Sequence, residues 1–339
     1  MRLMSNTFKQ TLEELGSEPK LSSSKLYTLS RMSQEDLATF KELWPSIPVQ
    51  RRQTIIQELM ETSEINFEVD FNPVFLTALG DEDAEVRTTA IKSLWEYEEP
   101  HLIAPLIHLL KTDETAAVRE AAASALGKFI YLKEIEELDW DEGNLAEEAL
   151  LQTIHSANED SDVQRRAVEA IAYSSREGIT EIIEAAYYND DEKVQVSAVF
   201  AMGRNADKRW IPLVLEELDN SNSEIRFEAA RASGELEAKG AVNKLIFIID
   251  EDPDLEVQEM AIWALGRIGG DTARQALEAC LDSDVEALAM AAEESLDELN
   301  IFDDDLIMYD FDEDDEYDED DFDDFDLYST NGNNGHNGH

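Results

Sequence analysis

The chain has 339 residues, 43% of them hydrophobic, enough for two average domains or one extended repeat array with a real core. Its formal net charge of -51, from 78 acidic against 27 basic residues, opposes binding to nucleic acid or anionic membranes, both of which are held by Lys and Arg. Sparse glycine (14) and proline (8) disfavour a turn-rich β fold, and no run approaches the roughly 18 apolar residues of a membrane helix.

Residues 1–32 are Ser-rich and weakly patterned, which predicts a loosely ordered arm. They hold no continuous apolar stretch, so no secretory signal is expected and the cytoplasm is the default compartment. A weak first unit follows at Arg51, with Ile55, Ile56 and Leu59 at helical spacing. The pattern then recurs. Apolar anchors fall at Val86, Val118, Val163, Val194, Ile225, Val257 and Leu288, at intervals of 32, 45, 31, 31, 32 and 31 residues.

Each anchor opens a helix behind an acidic or Asn-bearing turn, as at Asp81–Asp83, Asp113, Asp160, Asp190–Asp191, Asn220 and Asp252. Such side chains accept hydrogen bonds from the free amides of a helix start. Ala90, Ala122, Ala167, Ala198, Ala229 and Ala261 share one register and let neighbouring helices approach closely. A second apolar helix precedes each turn, for example over residues 102–110, 179–187 and 241–249. Neither helix can bury its apolar face alone, so the pairs must stack on one another.

The one long interval contains residues 133–145, KEIEELDWDEGNL, predicted as an acidic loop insertion around Trp140. Past the array, residues 301–339 form an acidic and aromatic tail. From Asp303 to Asp326 there are sixteen carboxylates and no base in 24 residues, a density that predicts disorder. Phe311, Tyr317, Phe322 and Phe325 interrupt the acids, as in a segment that docks on a basic, partly apolar surface.

The segments DEDAEVRTTAIKSLW, VREAAASALGKF, EIRFEAARASGELE and DLEVQEMAIWALGRIGG resemble the HEAT-like repeats of the phycobilisome-lyase family, over roughly residues 33–299. Repeat pattern and resemblance agree on an all-α, armadillo-like fold. This is a right-handed α-solenoid of about eight helix pairs over 33–300, with the disordered tail appended. The resemblance implies an Asp/Arg ladder between repeats, here carried by Arg87, Arg119 and Arg226 and interrupted by Gln164, Gln195 and Gln258. It leaves activity open, because such arrays serve as scaffolds, adaptors, lyase subunits and some enzymes.

Positions six and ten residues past each anchor should face the concave side. There Tyr173, Phe200, Arg204, Arg231, Trp263 and Arg267 form an aromatic and cationic stripe suited to a partner segment. The tail itself has the composition of such a segment, so a contact between tail and groove within the chain is a second expectation. A plainer reading also stands: Phe200 and Trp263 as core, and Lys128, Arg204 and Arg267 as complements to helix C-terminal dipoles.

HEAT-like deoxyhypusine hydroxylases are implied to need paired His-Glu dipeptides for two irons. His101, His108 and His155 are the histidines of the array, and none is followed by Glu. Cys280 lies among apolar residues, as a buried inert thiol does. No catalytic residue, metal site or cofactor is therefore assigned. The expected function is a non-enzymatic scaffold or adaptor that binds a protein with a basic surface, through the concave face and the tail. Two alternatives are a bilin-lyase-type or other small-molecule enzyme subunit, and a chaperone-like acidic protein that shields a basic client.

Overall fold

A computed structural model of the chain describes residues 2–311, with side chains from Thr7 to Ile301. Among the described residues all regular structure is helical. Two N-terminal helices, α1 (Arg2–Ser17) and α2 (Ser23–Leu26), precede eight pairs. The first three pairs are α3 (Gln34–Leu43) with α4 (Val49–Ile65), α5 (Asn72–Ala78) with α6 (Ala84–Ser93), and α7 (Ile103–Thr112) with α8 (Ala116–Glu134). Next come α9 (Trp140–Ile154) with α10 (Ser161–Ile171), and α11 (Ile179–Tyr187) with α12 (Glu192–Asn205). The last three are α13 (Ile211–Glu217) with α14 (Ser223–Glu235), α15 (Val242–Glu251) with α16 (Leu255–Ile268), and α17 (Asp271–Cys280) with α18 (Glu286–Phe311).

The anchors start these second helices as the spacing predicts. Val86, Val118, Val163 and Val257 are all buried, each within the first turn behind its cap. The capping residues are Asp83, Asp160, Asp191, Asn222 and Asp254, each accepting a backbone amide two or three residues on. Second helices stack on second helices through small residues. A Cβ on Gly127, Gly203 or Gly234 would lie 3.0 Å from the Cα of Ala170, Ala232 or Ala264 of the next repeat. That spacing admits hydrogen and nothing larger without backbone movement.

Three regions depart from expectation. The predicted loose arm carries α1 and α2, and its Leu12, Leu15, Leu26 and Leu29 are buried in the same cluster as Phe40, Trp44 and Ile47. They cover the open end of the first pair, which a solenoid must protect from water. Residues 133–145 are largely helical, because α8 is extended to Glu134 and α9 begins at Trp140. Buried Lys133 secures this extension, reaching Glu147 at 3.1 Å across Gly143, where a Cβ would lie 2.7 Å from the lysine side chain. At the far end, α18 continues to Phe311, past the predicted start of the tail at residue 301. Tyr317, Phe322 and Phe325 lie outside the described residues.

The ladder is present and regular. Arg52 meets buried Asp81 at 2.9 Å, and Arg87 clamps Asp113 at 2.7 and 2.9 Å. Arg119 reaches Glu159 at 2.8 Å, and Arg226 clamps Asp252 at 2.7 and 2.8 Å. Each rung ties one repeat to the next. The glutamines close on their own repeats instead: Gln164 donates to the Ile154 and Ser156 carbonyls, Gln195 to Asn189, and Gln258 to Asp252. The acceptor position, five residues before the next anchor, changes with them, to Asn189, Asn220 and Ser283. Asn189 and Asn220 still accept the amide two residues on, as Asp81, Asp113 and Asp252 do. The turn is kept where the charge pair is deleted.

Candidate functional site

The stacked second helices α10, α12 and α14 bring the central part of the predicted stripe together. The Arg231 guanidinium lies 4.2 Å from the Phe200 ring centroid, and that of Arg204 lies 5.4 Å from Phe200 and 5.9 Å from Tyr173. Tyr131 extends the aromatic surface, with its ring 5.5 Å from that of Tyr173 in an edge contact. Trp263 packs where Gly234 leaves room, since a Cβ there would come within 2.8 Å of Trp263 Cζ3. Phe200 and Trp263 are half-buried, neither core nor free, and Arg267 is exposed one turn beyond Trp263. A trough of about 510 Å³ opens over Phe200 and Arg231, within the range of small-ligand sites.

The cations are not bare. Arg204 pairs with Glu235 at 3.1 Å, Arg231 pairs with Glu228, and Arg166 with Glu169 at 2.7 Å and Glu120 at 3.1 Å. Ser197 donates to Glu169 at 2.5 Å. The predicted cationic stripe is thus an ion-pair lattice laid over aromatic rings. Glu169 and Glu235 occupy the same six- and ten-residue positions as the stripe, so their presence was readable from the register. Glu228 and Arg166, which lie three residues past their anchors, were not signalled by it.

Burial raises the pKa of Glu228 and Glu235 against the opposing pull of the nearby arginines. Burial also raises that of Tyr173. Arg204 Nε and Glu235 Oε2 are buried without a hydrogen-bond partner, each leaving a polar atom whose desolvation is uncompensated. A bound carboxylate could satisfy the arginine and compete with Glu235, while a flat body could stack on the rings. At the N-terminal end of the stripe Lys128 acts differently. Its ammonium donates to the carbonyls of Leu94, Trp95 and Tyr97, and burial pushes its pKa down to about 8.

An iron site of the kind implied for deoxyhypusine hydroxylases does not fit these residues. His101 bonds Tyr97 at 3.0 Å, His108 lies near Thr112, and His155 donates from Nδ1 to the Leu151 carbonyl at 2.7 Å. No group of three or more His, Cys, Asp or Glu placed to hold a metal ion occurs among the described residues. Cys280 is half-buried, and burial raises its thiol pKa. No described helix is long and apolar enough to cross a membrane.

Comparison with known proteins bears on both fold and activity. The family described as HEAT repeats matches residues 72–139, 179–251 and 211–297, more than half of the chain. The chain belongs to the HEAT repeat family. A stretch of 130 residues is 30% identical to deoxyhypusine hydroxylase of Candida albicans, covering 38% of this chain and 38% of that protein. The chain thus matches well under half the length of that relative. Human deoxyhypusine hydroxylase in complex with glycerol is 17% identical over 88% of this chain and 99% of its own, with a TM-score of 0.35. The complex of CpcE and CpcF of phycocyanin lyase from Nostoc sp. PCC7120 is 19% identical over 67% of this chain and 94% of its own, with a TM-score of 0.43. Kinship with a hydroxylase overturns the expectation that the chain has no enzymatic role.

Proposed function

We propose that the chain serves in an enzyme of the HEAT-like kind as the subunit that holds a small substrate, with the trough over Phe200 and Arg231 and the adjoining Arg204–Tyr173 surface as the binding site. The substrate class is a molecule that joins carboxylates to a flat unsaturated body, as an open-chain tetrapyrrole does. The observation that carries this reading is the cluster of Arg204 and Arg231 over Phe200 and Tyr173, with Arg204 Nε unpartnered. The chain's own part is to bind and orient. Arg204 exchanges Glu235 for a ligand carboxylate, and the rings exclude water from the ligand's flat face. The similarity to an enzyme supports a catalytic context, and the described residues hold no donor set for bound iron.

The test is thermal unfolding and absorbance titration of the full chain with biliverdin. Stabilisation is expected, with a clear loss in Phe200→Ala and in Arg204→Gln. Equal stabilisation of parent and both variants, or none at all, overturns the proposal.

A further inference from the structure

The fourth and fifth repeats meet around a cleft of about 700 Å³, whose lining shares only Arg165 with that of the trough over Phe200. Its lining includes both Gln164 and Asn189, the residues that stand at the rung positions of this junction. At bridged junctions an arginine spans from one such position to a carboxylate at the other. Here Gln164 folds back onto Ile154 and Ser156, and the space between the positions stays open.

The walls are apolar. Leu151 and Ile154 of α9, Ile182 of α11 and Val194 of α12 are packed against the core on one side and remain half-buried. Covering them with another apolar group is favourable. The rim is acidic. Exposed Glu177, Glu181 and Asp191 have no ion-pair partner among the described residues. The two arginines of the lining are already engaged, Arg165 with Asp162 at 2.7 Å and Arg176 with Glu148 at 2.6 Å. His155 adds a further acceptor, since its Nδ1 donates to Leu151 and leaves Nε2 with a lone pair in the neutral ring.

We propose that this cleft docks a segment of a partner protein that presents an apolar side chain beside a lysine or arginine. The apolar group fills the volume between the two rung positions. The cation pairs with the rim carboxylates, in keeping with the net charge of -51. This site does not depend on the concave reading, because it shares neither Phe200 nor Arg204 nor Arg231 with it.

The test uses the full chain and an amphipathic lysine–leucine peptide, with its glutamate–leucine counterpart as the charge control. Binding is measured by calorimetry at about 0.15 M salt, where screening limits distant acids to about 8 Å. Because acids elsewhere on the chain also attract the peptide, the comparison of variants decides. Ala185→Trp blocks the cleft from an exposed position, and Gln164→Arg with Asn189→Asp restores the rung across it. Both are checked for parental melting behaviour, and either one suffices if the other unfolds. The expected result is lysine–leucine binding that weakens roughly tenfold or more on blocking, against negligible glutamate–leucine binding. Unchanged affinity in the folded variants, or equal binding of the two peptides, overturns the proposal.

Discussion

Between the second and fourth repeats the cross-repeat ties run along the turn edge, where Arg87 and Arg119 reach Asp113 and Glu159. Between the fourth and sixth those rungs are absent, and ties between second helices include Ser197 with Glu169 and Arg204 with Glu235. The junction of the third and fourth repeats has both, since Arg166 also meets Glu120. The difference shows how a repeat can lose a charged tie without harm. The side chains of Asp113 and Asp252 are only 5% exposed, so replacing the arginine alone would strand a buried carboxylate. Donor and acceptor have changed together, Gln164 with Asn189 and Gln195 with Asn220, and the neutral pair costs little.

Several experiments break or sharpen this contrast. The largest effect is expected at Arg52, whose removal leaves Asp81 buried without a charge partner, held only by the Trp44 indole at 2.7 Å and the Asp83 amide at 2.9 Å. Arg52→Met should cost about 3–5 kcal/mol in chemical unfolding. A loss of only a few tenths would mean that the rungs do not hold the bridged stretch. Next is Gly203→Ala, whose new methyl meets Ala232 and the Glu235 carboxylate. A cost of about 1–3 kcal/mol is expected. The fourth repeat already carries Ala172 at the same register position, so the effect is specific to the junction that Gly203 faces.

The ladder itself is tested by a double-mutant cycle of Arg87→Gln and Asp113→Asn. The double variant should recover a coupling energy of about 0.5–3 kcal/mol relative to the sum of the singles. Additive losses would show that the natural Gln/Asn pairing is not compensatory.

The two faces should also respond oppositely to pH. Burial works to raise the pKa of Asp113, but its hydrogen bonds from Arg87 and from the Thr115 amide win and hold it below the ordinary value. Its contribution is present above the unfolded pKa of about 3.9 and is lost as pH falls through the lower folded value. The melting gap between the parent and Asp113→Asn should therefore close only below about pH 3.9. Glu235 is raised by burial, so its contribution is full below the unfolded value of about 4.3 and is lost as pH rises through the folded one. Relative to Glu235→Gln, the parent should lose stability as pH rises, beginning above about 4.3. Parallel curves for the two variants would contradict the contrast. The smallest effect is expected from Gln164→Arg with Asn189→Asp, a gain of at most about 1 kcal/mol for a part-exposed pair.

The array itself was legible in the sequence because it depends on local periodicity. Anchor, cap and small-residue register repeat with each pair, and a helix pair that cannot bury its face alone has only its neighbour to stack on. Arg87, Arg119 and Arg226 could be read as rungs, and the glutamines as gaps, for the same reason. Tertiary structure decided what depends on contact between distant segments. Leu12, Leu15, Leu26 and Leu29 look unremarkable along the chain and become a cap only when Phe40 and Trp44 stand beneath them. Residues 133–145 read as an acidic loop because charge dominates their composition, yet the buried Lys133–Glu147 pair makes most of them helix. The stripe reads as cationic until stacking brings Glu235 of α14 against Arg204 of α12, whereas Glu228 and Arg231 meet within one helix. The cleft between the fourth and fifth repeats has no sequence signature beyond two amides, because a void is defined by what the surrounding helices fail to fill.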